Sequence, residues 1–376
     1  MAEEKKLTVL QLLPALESGG VERGTLEVAQ ALVERGHRAL VMSEGGRLVA
    51  PLTVCGAEHF VWPIGKKSLK TLLLASRLRS FLLEQKVGLI HARSRVPAWI
   101  AYLAWRGMDP STRPRFVTTV HGMYGVNRYS RIMTQGERVI AVSNTVRDYI
   151  LREYPDTPPW RIQVIHRGVD GEAYPHGWKP DSGWQQAFLT QFPNAAGKQL
   201  LTLPGRITRL KGHEDFIELI SRLNRRGLPV HGLIVGGASS SKLRYLQKLR
   251  YRVRSMGLEA DISFTGQRDD LKNILAISSL VLSLSTQPES FGRTTLEALR
   301  LGVPTAGYDH GGVGEILRTV YPAGLLPLGR IDETCQRLAQ QLQYPEPVPA
   351  GDFFPLQAML DQTVSLYEQL ARAPRR

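Results

Sequence analysis

Short apolar runs that favour β-strands alternate with helical segments along this chain, and the alternation occurs twice. The first series begins with the strand-like run Leu7–Pro14 and a helical segment from Val21, and it ends near Gln163–Ile165. The second series runs from Gln199–Pro204 to another strand-like run at Thr305–Gly307. Strands that alternate with helices are joined by right-handed crossovers and form parallel sheets. The sequence therefore predicts two successive α/β domains of similar size.

An irregular stretch separates the two series. Gly, Pro and Asp residues crowd the segment between Gly168 and Gln199, which is typical of a connection. We predict an N-terminal domain over 1–172, a linker over 173–198 and a C-terminal domain over 199–352. Residues 353–376 are predicted to form a C-terminal helix, Pro355–Ala371, that packs back across the domains. A chain of 376 residues suits this division, because domains usually hold about 100–200 residues.

Cysteine content and hydropathy exclude several classes of protein. Cys55 and Cys335 are too few for a disulfide framework or a structural zinc site, and they indicate a reducing compartment. The run Leu7–Pro14 is shorter than the apolar part of a signal peptide, and a membrane span needs about 20 apolar residues. We therefore expect a cytoplasmic protein.

The positive charge is concentrated in two regions. The chain carries 48 Lys and Arg against 34 Asp and Glu, a net charge of +14. The excess lies between Lys66 and Arg131 and again between Arg206 and Arg254. Basic regions in a protein of this kind indicate polyanionic partners, namely nucleic acid, an anionic membrane surface or phosphorylated ligands. Charge alone does not choose among them.

A glycine pair follows the first predicted strand. Gly19 and Gly20 leave backbone amides accessible to an anion, or they form a tight turn only. The spacing Gly19–Gly24–Thr25 imitates a phosphate-binding loop, but Arg23 precedes Gly24 and the lysine of that motif is missing. A nucleoside triphosphatase is therefore not expected, and the lack of G-x-G-x-x-G weakens a nicotinamide-binding interpretation.

Two cations follow the first predicted strand of the second domain. Arg206 leaves the carboxyl end of that strand, and Lys211 comes just before the next helix. In parallel sheets, ligands bind at the carboxyl ends of the strands. Arg binds a diphosphate through two parallel hydrogen bonds and Lys binds it as a compact charge. By itself the pair would be interpreted as a solvated surface pair.

Two glutamates follow a later apolar strand. Glu289 lies in a predicted loop, and Glu297 lies eight residues further on in a predicted helix, so both carboxylates can face one elongated ligand. Gly292 between them leaves the amides of the helix N-terminus open to phosphate. Carboxylates that accept hydrogen bonds from sugar hydroxyl groups, and amides that donate hydrogen bonds to phosphate, together describe a nucleotide sugar. The residues alone also allow a helix N-terminal charge and a surface glutamate.

These motifs together resemble the retaining glycosyltransferases of the GT-B fold, and more narrowly glycosyltransferase family 4. The motifs that carry the resemblance are Glu289-x7-Glu297, Gly205-Arg206 with Lys211-Gly212, Gly19-Gly20, Val120-His121-Gly122 and Gly311-Gly312-Val313-Gly314-Glu315. The resemblance spans nearly the whole chain. It implies two Rossmann-like parallel-sheet domains that face each other across a cleft.

The resemblance implies a role for each matching residue. Arg206 and Lys211 would clamp the donor diphosphate, and Glu297 would accept hydrogen bonds from the ribose. Glu289 would lie beside the donor sugar, and His121 would face the anomeric carbon. Arg206, Lys211, Glu289 and His121 are therefore the expected catalytic residues.

The other implied donor contacts involve the backbone more than side chains. They are Gly20 beneath the diphosphate, Phe291, Gly292 and Arg293 near sugar and phosphate, and Gly266, Gln267 and Arg268 at the base. The chain departs from the family pattern at Arg293, where an aliphatic residue is usual, and at Gly314, where Pro is frequent. Neither position belongs to the expected diphosphate clamp, and Arg293 is expected to alter donor preference.

Glycosyltransferases of this kind work without a divalent cation, and the sequence agrees. It contains no Asp-x-Asp, since Asp269 and Asp270 are adjacent. No cofactor or metal is therefore expected, and the UDP- or GDP-sugar is a substrate. Arg206, Lys211 and helix amides would stabilise the leaving nucleoside diphosphate.

The first basic region falls in the domain that would hold the acceptor. The segment from Lys66 to Leu74 mixes cations with apolar residues, as peripheral membrane elements do. We expect an anionic, membrane-anchored glycan or glycolipid acceptor, as in the synthesis of a bacterial lipopolysaccharide core or another cell-surface polysaccharide. His91, Tyr124 and Arg128 are speculative acceptor contacts. A merely soluble basic face is the alternative.

Other classes remain open at this stage. A sugar-nucleotide epimerase shares the two-domain form but needs no acceptor. A nucleic-acid-binding protein would explain the charge, yet no segment resembles a known RNA- or DNA-binding module, and the paired glutamates would have no role. We expect no nucleic-acid partner and a monomer. His213, which begins a helix, is expected to be a capping or surface residue.

Overall fold

The computed structural model describes residues 6–17, 19–66, 68, 71 and 73–374. It divides into two compact units, of which the first ends at Arg167 and resumes at Leu356, and the second spans Gly168–Pro355. Each unit is built on a wholly parallel sheet with connecting helices. The predicted fold class, two parallel-sheet α/β domains, is confirmed.

The first unit has a seven-stranded sheet in the order β3-β2-β1-β4-β5-β6-β7. Its strands are β1 (Thr8–Leu12), β2 (Arg38–Ser43), β3 (Glu58–Val61), β4 (Leu89–Ala92), β5 (Arg115–Val120), β6 (Arg138–Ala141) and β7 (Ile162–Val164). Its connecting helices are α1 (Gly20–Glu34), α2 (Val49–Val54), α3 (Leu74–Glu84), α4 (Arg95–Arg106) and α5 (Asn144–Glu153). The central strands are buried along their length, as expected for a parallel sheet covered on both faces.

The second unit has a six-stranded sheet in the order β10-β9-β8-β11-β12-β13. Its strands are β8 (Gln199–Pro204), β9 (Val230–Val235), β10 (Ile262–Gly266), β11 (Leu280–Ser283), β12 (Thr305–Tyr308) and β13 (Leu325–Leu326). Its helices are α6 (Ser182–Gln191), α7 (His213–Arg225), α8 (Leu243–Ser255), α9 (Leu271–Ile277), α10 (Arg293–Arg300), α11 (Gly311–Val320) and α12 (Ile331–Gln343).

Each sheet reverses its strand order at one position. In the first unit the chain moves outward from β1 to β3 and then returns to place β4 on the other side of β1. In the second unit it does the same between β8 and β11. The loops at the carboxyl ends of two such strands run in opposite directions and leave a crevice, which is where parallel α/β sheets bind ligands.

The predicted linker differs from the division that the structure shows. Residues 173–198 lie within the second unit, where helix α6 covers one face of the sheet. Phe188 and Trp184 of α6 pack with Leu200, Val235 and Ile274 in an apolar cluster. Pro and Gly residues mark the turns around α6, but its aromatic face makes this segment part of a core.

The C-terminal helix belongs to the first unit. Helix α13 (Leu356–Arg372) packs against α1, and Leu360, Val364 and Tyr367 lie in the same apolar core as Val28 and Leu32. The predicted helix Pro355–Ala371 is thus confirmed to within one residue at each end. The second unit is inserted in the sequence between β7 and α13.

Some elements were missed, and some predictions fall outside the described residues. Strand β3 is an edge strand of only four residues, two of them polar, so Glu58–Val61 carries little apolar signal. Helix α12 buries Cys335, Leu338 and Leu342 at helical spacing, a signal that the sequence does contain. Ser18 of the first predicted turn, and Lys67, Leu69, Lys70 and Leu72 of the predicted membrane-binding segment, lie outside the described residues.

Candidate functional site

Two loops of the second unit meet where its strand order reverses. One follows β8 and contains the 3₁₀ turn Arg209–Lys211, and the other follows β11. The amide of Thr286 donates a hydrogen bond of 2.9 Å to the carbonyl of Leu210, which joins the loops. Gly212 has a φ of +72°, and a Cβ there would lie 1.9 Å from the carbonyl oxygen of Leu284. This close approach requires glycine and holds the two loops in one position.

Lys211 and Glu289 form an ion pair across these loops. Lys211 Nζ lies 2.7 Å from Glu289 Oε1, and the hydroxyl of Ser285 donates to the same oxygen. Burial alone would raise the pKa of Glu289, but the charge of Lys211, the two hydrogen bonds and the nearby His310 lower it below its ordinary value. The carboxylate is therefore ionised near neutral pH. The structure thus brings together two predicted site residues that are 78 positions apart in sequence.

Arg206 extends from the loop after β8, and its side chain is exposed. The backbone before it is shaped by Gly205, whose φ is +144° and whose amide donates to the carbonyl of Val235 at 2.8 Å. A Cβ on Gly236 would lie 1.9 Å from the carbonyl oxygen of Gly205, so the loops after β8 and β9 are also in close contact. Arg206 therefore places a cation, on a long exposed side chain, at the rim of the closely packed loops after β8 and β9.

Glu297 lies in the second turn of α10 and is only 4% exposed. Arg293, four residues earlier on the same helix, donates from Nε to Glu297 Oε1 at 3.2 Å. A buried carboxylate is costly unless it is paired. The departure from the family pattern at Arg293 therefore has a structural explanation, since the guanidinium partly neutralises Glu297.

The backbone at the N-terminus of α10 is fixed by contacts with neighbouring segments. Gly292 precedes the helix with a φ of +101°, and Phe291 is buried with its ring edge against Phe354, the centroids 5.7 Å apart. The amide of Gly312 donates to the carbonyl of Glu289 at 2.7 Å, and a Cβ on Gly312 would lie 2.3 Å from Phe291 Cα. Helix N-terminal amides of this kind favour anions. Helix α10 thus begins four residues after Glu289, the carboxylate of the Lys211–Glu289 pair.

The predicted base contacts differ in their surroundings. Gln267 is exposed after β10. The guanidinium of Arg268 instead makes two hydrogen bonds to Asp270, of 2.8 and 2.6 Å, and one of 2.9 Å to Gln191. Asp270 also accepts the indole N–H of Trp184 at 2.9 Å. The Arg268 side chain therefore stabilises the loop, and a contact with the base through that side chain is not supported.

Sequence reasoning missed two residues beside Glu289 and misplaced a third. His310 Nε2 lies 2.7 Å from the carbonyl oxygen of Ser285, so the Ser285–Glu289 segment is fixed from two sides. The sequence contained a signal for each, since His310 stands directly before Gly311 and Ser285 stands four residues before Glu289. His213 was expected to be a capping or surface residue, and both alternatives are wrong, because Gly212 is the N-cap of α7 and His213 is not at the surface. It is fully buried 3.2 Å from the carbonyl oxygen of Thr208, and burial lowers its pKa to about 4.

In the first unit, Gly20 and His121 lie at the carboxyl edge of the sheet. Gly20 opens α1, and its carbonyl accepts a hydrogen bond of 2.8 Å from Arg167 Nη2. His121 follows β5, and its Nε2 is buried without a hydrogen-bond partner among the residues that the structure describes. Burial, together with the charges of Arg167 and Arg93, holds the pKa of His121 well below its ordinary value. The ring is therefore neutral near pH 7.

The three speculative acceptor residues have different positions. His91 is 1% exposed, and its two ring nitrogens lie 2.5 Å from the Tyr367 hydroxyl and 2.6 Å from the Thr119 hydroxyl. This placement does not support an acceptor contact, because both nitrogens are already bonded inside the core. The Tyr124 hydroxyl accepts from the His121 amide at 3.3 Å. Arg128 is exposed.

The residues that the structure describes contain neither a cluster of metal ligands nor a helix suited to cross a membrane. Within that part of the chain, no three His, Cys, Asp or Glu side chains come together as metal ligands would. None of the helices described has the length and apolarity that a bilayer crossing demands. Independence from metal stays a prediction.

Comparison with known proteins identifies relatives along both units. The model of Glycosyltransferase Family 4 matches residues 18–173, and that of Glycosyl transferases group 1 matches residues 186–343. The D-inositol 3-phosphate glycosyltransferase of Rhodococcus erythropolis is 30% identical over 54% of this chain and 45% of its own. The N-acetyl-alpha-D-glucosaminyl L-malate synthase of Bacillus anthracis is 27% identical over 81% of this chain and 79% of its own. The chain thus spans about half the length of the first relative.

A solved structure covers nearly the entire chain. The crystal structure of a glycosyltransferase from Rickettsia africae superposes with a TM-score of 0.81 at 26% identity, and the match covers 98% of this chain and 100% of that one. Both parallel-sheet units of the chain therefore have counterparts in a solved glycosyltransferase structure.

Proposed function

Because the chain belongs to glycosyltransferase family 4, with a group 1 glycosyltransferase domain, we propose that it transfers a hexose-type sugar from a nucleotide sugar to a glycan or glycolipid acceptor. The observation that carries the proposal is the Lys211–Glu289 ion pair, which lies where the strand order of the second sheet reverses and whose carboxylate stands four residues before α10. A cation, an ionised carboxylate and a helix N-terminus in neighbouring loops suit a sugar diphosphate. Neither an epimerase nor a nucleic-acid-binding protein is favoured, since both matched families are glycosyltransferases.

In the proposed reaction, the bond from the anomeric carbon to the diphosphate oxygen breaks, and the nucleoside diphosphate leaves with the electron pair. Lys211, Arg206 and the amides of Gly292 and Arg293 stabilise the negative charge that develops on the leaving group. Fixed donors of this kind commonly supply the largest contribution to catalysis. The backbone that carries Lys211 and the amides needs no reorganisation, because the glycine contacts of the loops already hold it in place.

The acceptor hydroxyl attacks the same face of the sugar that the diphosphate leaves, and its proton passes to an oxygen of the departing phosphate. This route retains the anomeric configuration without a covalent enzyme intermediate. Glu289 then orients the donor sugar by accepting hydrogen bonds from its hydroxyl groups, and Glu297 does the same for the ribose. Trapping of a glycosyl group on Glu289, for example with a fluorinated donor and mass spectrometry, would refute the direct route.

A thermal-shift panel of UDP, GDP, ADP and their sugars on the purified protein tests donor binding. We expect one nucleotide class to raise the Tm in a saturable manner. Glu297→Gln is expected to weaken that nucleotide by about 10- to 100-fold, because hydrogen bonds to a charged group contribute about 1.5–3 kcal/mol. The matched control is Glu259→Gln, an exposed surface carboxylate of the same unit that pairs with Arg254. Equal binding by both variants, or no stabilisation by any nucleotide, would count against the proposed donor site.

The proposal extends to the acceptor, which we expect to be anionic and anchored at the cytoplasmic face of a membrane, such as a lipopolysaccharide core or a lipid-linked glycan. The basic excess between Lys66 and Arg131 supports it. The names of the two curated relatives refer to inositol 3-phosphate and L-malate, both of which carry acidic groups. In the first unit, Lys66 and Arg77 are exposed, and Leu73, which lies between them in sequence, is an apolar side chain that is 74% exposed.

Membrane association is tested with the double variant Lys66→Gln, Arg77→Gln and vesicles that contain anionic lipid. We expect binding about 30-fold weaker than that of the wild-type protein at low salt, because each cation near an anionic surface contributes about 1 kcal/mol. The control is Arg147→Gln, Arg152→Gln, which removes the same charge from exposed positions of α5. If both double variants lose equal affinity for the vesicles, the net charge of the protein determines binding and no specific membrane-binding face exists. If neither variant loses affinity, the membrane proposal fails, and the proposed donor site is unaffected.

A further inference from the structure

Helix α8 of the second unit carries a concentration of positive charge that the proposed donor site does not use. Residues 242–254 contain six cations and no Asp or Glu, namely Lys242, Arg244, Lys248, Arg250, Arg252 and Arg254. One face of the helix packs into the core of the unit, since Tyr245, Leu249 and Val253 recur every four residues and are buried. The cations occupy the rest of the helix surface, and all but Arg252 are exposed.

The face of α8 opposite the core combines cations with exposed apolar side chains. Leu243 is 51% exposed and Tyr251 is 70% exposed. At about 100° per residue, these two side chains and the exposed Arg244, Arg250 and Arg254 fall within about 120° of the helix circumference. These five residues define the exposed face of α8, which is about 17 Å long.

The positive charge of this face is only partly compensated within the protein. Arg244 and Arg250 form no ion pair with the residues that the structure describes, although the Arg250 guanidinium lies 5.7 Å from the ring centroid of Phe264. Arg254 Nε lies 3.4 Å from Glu259 Oε1, but the two side chains are 75% and 63% exposed, so the pair contributes little. Uncompensated like charges on one face favour a polyanionic partner.

We propose that the exposed face of α8 binds an anionic lipid bilayer. Lipid phosphates supply the counter-charge that Arg244 and Arg250 lack, and the interfacial layer of a bilayer accepts apolar and aromatic side chains such as Leu243 and Tyr251. The phosphates of a nucleic acid would also neutralise the arginines, but they offer no apolar environment to Leu243. The bilayer is therefore the partner that fits both kinds of side chain on this face.

The position of α8 relates its exposed face to the proposed donor site. The helix follows β9 and begins at the carboxyl edge of the second sheet. The amide of Ile207 donates to the carbonyl of Gly237 at 2.9 Å, which joins the loop before α8 to the loop of Arg206. Binding through α8 therefore holds the donor loops within about 20 Å of the lipid surface, the length of the helix. These residues belong to the second unit, so the inference goes beyond the surface proposed above for the first unit.

Vesicles of phosphatidylcholine and phosphatidylglycerol, compared with phosphatidylcholine alone, test the proposal in a sedimentation assay of the full chain at low salt. We expect the wild-type protein to bind the anionic vesicles only. Arg244→Gln, Arg250→Gln is expected to bind them about 30-fold more weakly, because two cations near an anionic surface are removed. The control is Arg318→Gln, Arg330→Gln, which removes the same charge from exposed positions elsewhere in the unit and should retain binding within about threefold. Equal losses in the two double variants, or no binding by the wild-type protein, would overturn the proposal.

A second variant separates a bilayer from other polyanions. Leu243→Ser, Tyr251→Ser keeps every cation of the helix and is expected to weaken vesicle binding by about tenfold, because apolar surface no longer leaves water on binding. Unchanged vesicle binding by this variant, or tighter wild-type binding to a single-stranded oligonucleotide than to vesicles, would refute a lipid partner. All four substituted positions are exposed, so the variants should unfold at the wild-type temperature and keep their affinity for nucleotide. A loss that occurs only in Lys66→Gln, Arg77→Gln would also refute the role of α8, and it would leave the proposal for the first unit intact.

Discussion

Lys211→Ala is expected to lower kcat/KM by about 10²–10³-fold, the usual cost of removing one fixed group that stabilises a developing negative charge. Lys211 Nζ is held 2.7 Å from Glu289 by the contact between the loops after β8 and β11, so its charge is positioned before substrate binds. The variant also leaves Glu289 without its cation. Steady-state rates of sugar transfer, measured with the donor that the nucleotide panel identifies, check this expectation.

The control for this prediction is Lys248→Ala. Lys248 belongs to the same unit and also pairs with a glutamate, since its Nζ lies 3.5 Å from Glu214, but its side chain is 60% exposed. Exposed pairs contribute about 0–1 kcal/mol, so this variant should keep nearly full activity. If the Lys211→Ala variant unfolds at the same temperature as the wild-type protein and keeps its kcat/KM within threefold, Lys211 has no role in catalysis.

Gly212→Ala is expected to destabilise the second unit by about 3 kcal/mol or more. A left-handed backbone costs a residue with a Cβ about 1–2 kcal/mol, and steric overlap in a packed region adds about 1–3 kcal/mol. The new Cβ would lie 1.9 Å from the carbonyl oxygen of Leu284, a backbone atom that has no rotamer to change. Urea denaturation measures the loss, and donor affinity should fall with it, because the loop of Lys211 must move away from that of Glu289.

Gly227 offers a matched control at the other end of the same helix. Its φ is +77°, close to the +72° of Gly212, but no atom lies within 4 Å of the Cβ that Ala would add. Gly227→Ala should therefore cost only the backbone contribution of about 1–2 kcal/mol and leave donor binding unchanged. Equal losses in the two variants would mean that the contact between the loops contributes nothing to stability.

The residues that could be predicted from sequence are those whose position follows from topology. Lys211 and Glu289 each follow a strand of one parallel sheet, and the carboxyl ends of neighbouring strands meet at the same edge. The spacing of apolar residues was sufficient to predict most of the helices, including α13. It did not find β3, which has only four residues, two of them polar, and it assigned α6 to a linker because Pro and Gly surround it.

Side-chain environments were predicted less well, because they depend on partners far apart in sequence. His91 was predicted as a speculative acceptor contact, but one of its ring nitrogens lies 2.5 Å from the hydroxyl of Tyr367, 276 positions away on α13. Arg268 was assigned to the base, yet its guanidinium is bonded to Asp270 and Gln191. Nothing in the segment around Arg93 indicates that it would be buried beside Arg167. Such pairings become visible only when the order of the strands is known.

The position of α13 in the sequence affects the order in which the two units fold during translation. The second unit emerges complete while the first still lacks the helix that contributes Tyr367 to its core and Glu368, whose Oε1 lies 3.0 Å from His37 Nε2. The half of the molecule that is synthesised first is therefore the half that finishes folding last. Until α13 has been synthesised and has left the ribosome, the apolar side of α1 that it covers stays exposed, and we expect nascent chains to be most vulnerable to aggregation and chaperone capture during that interval.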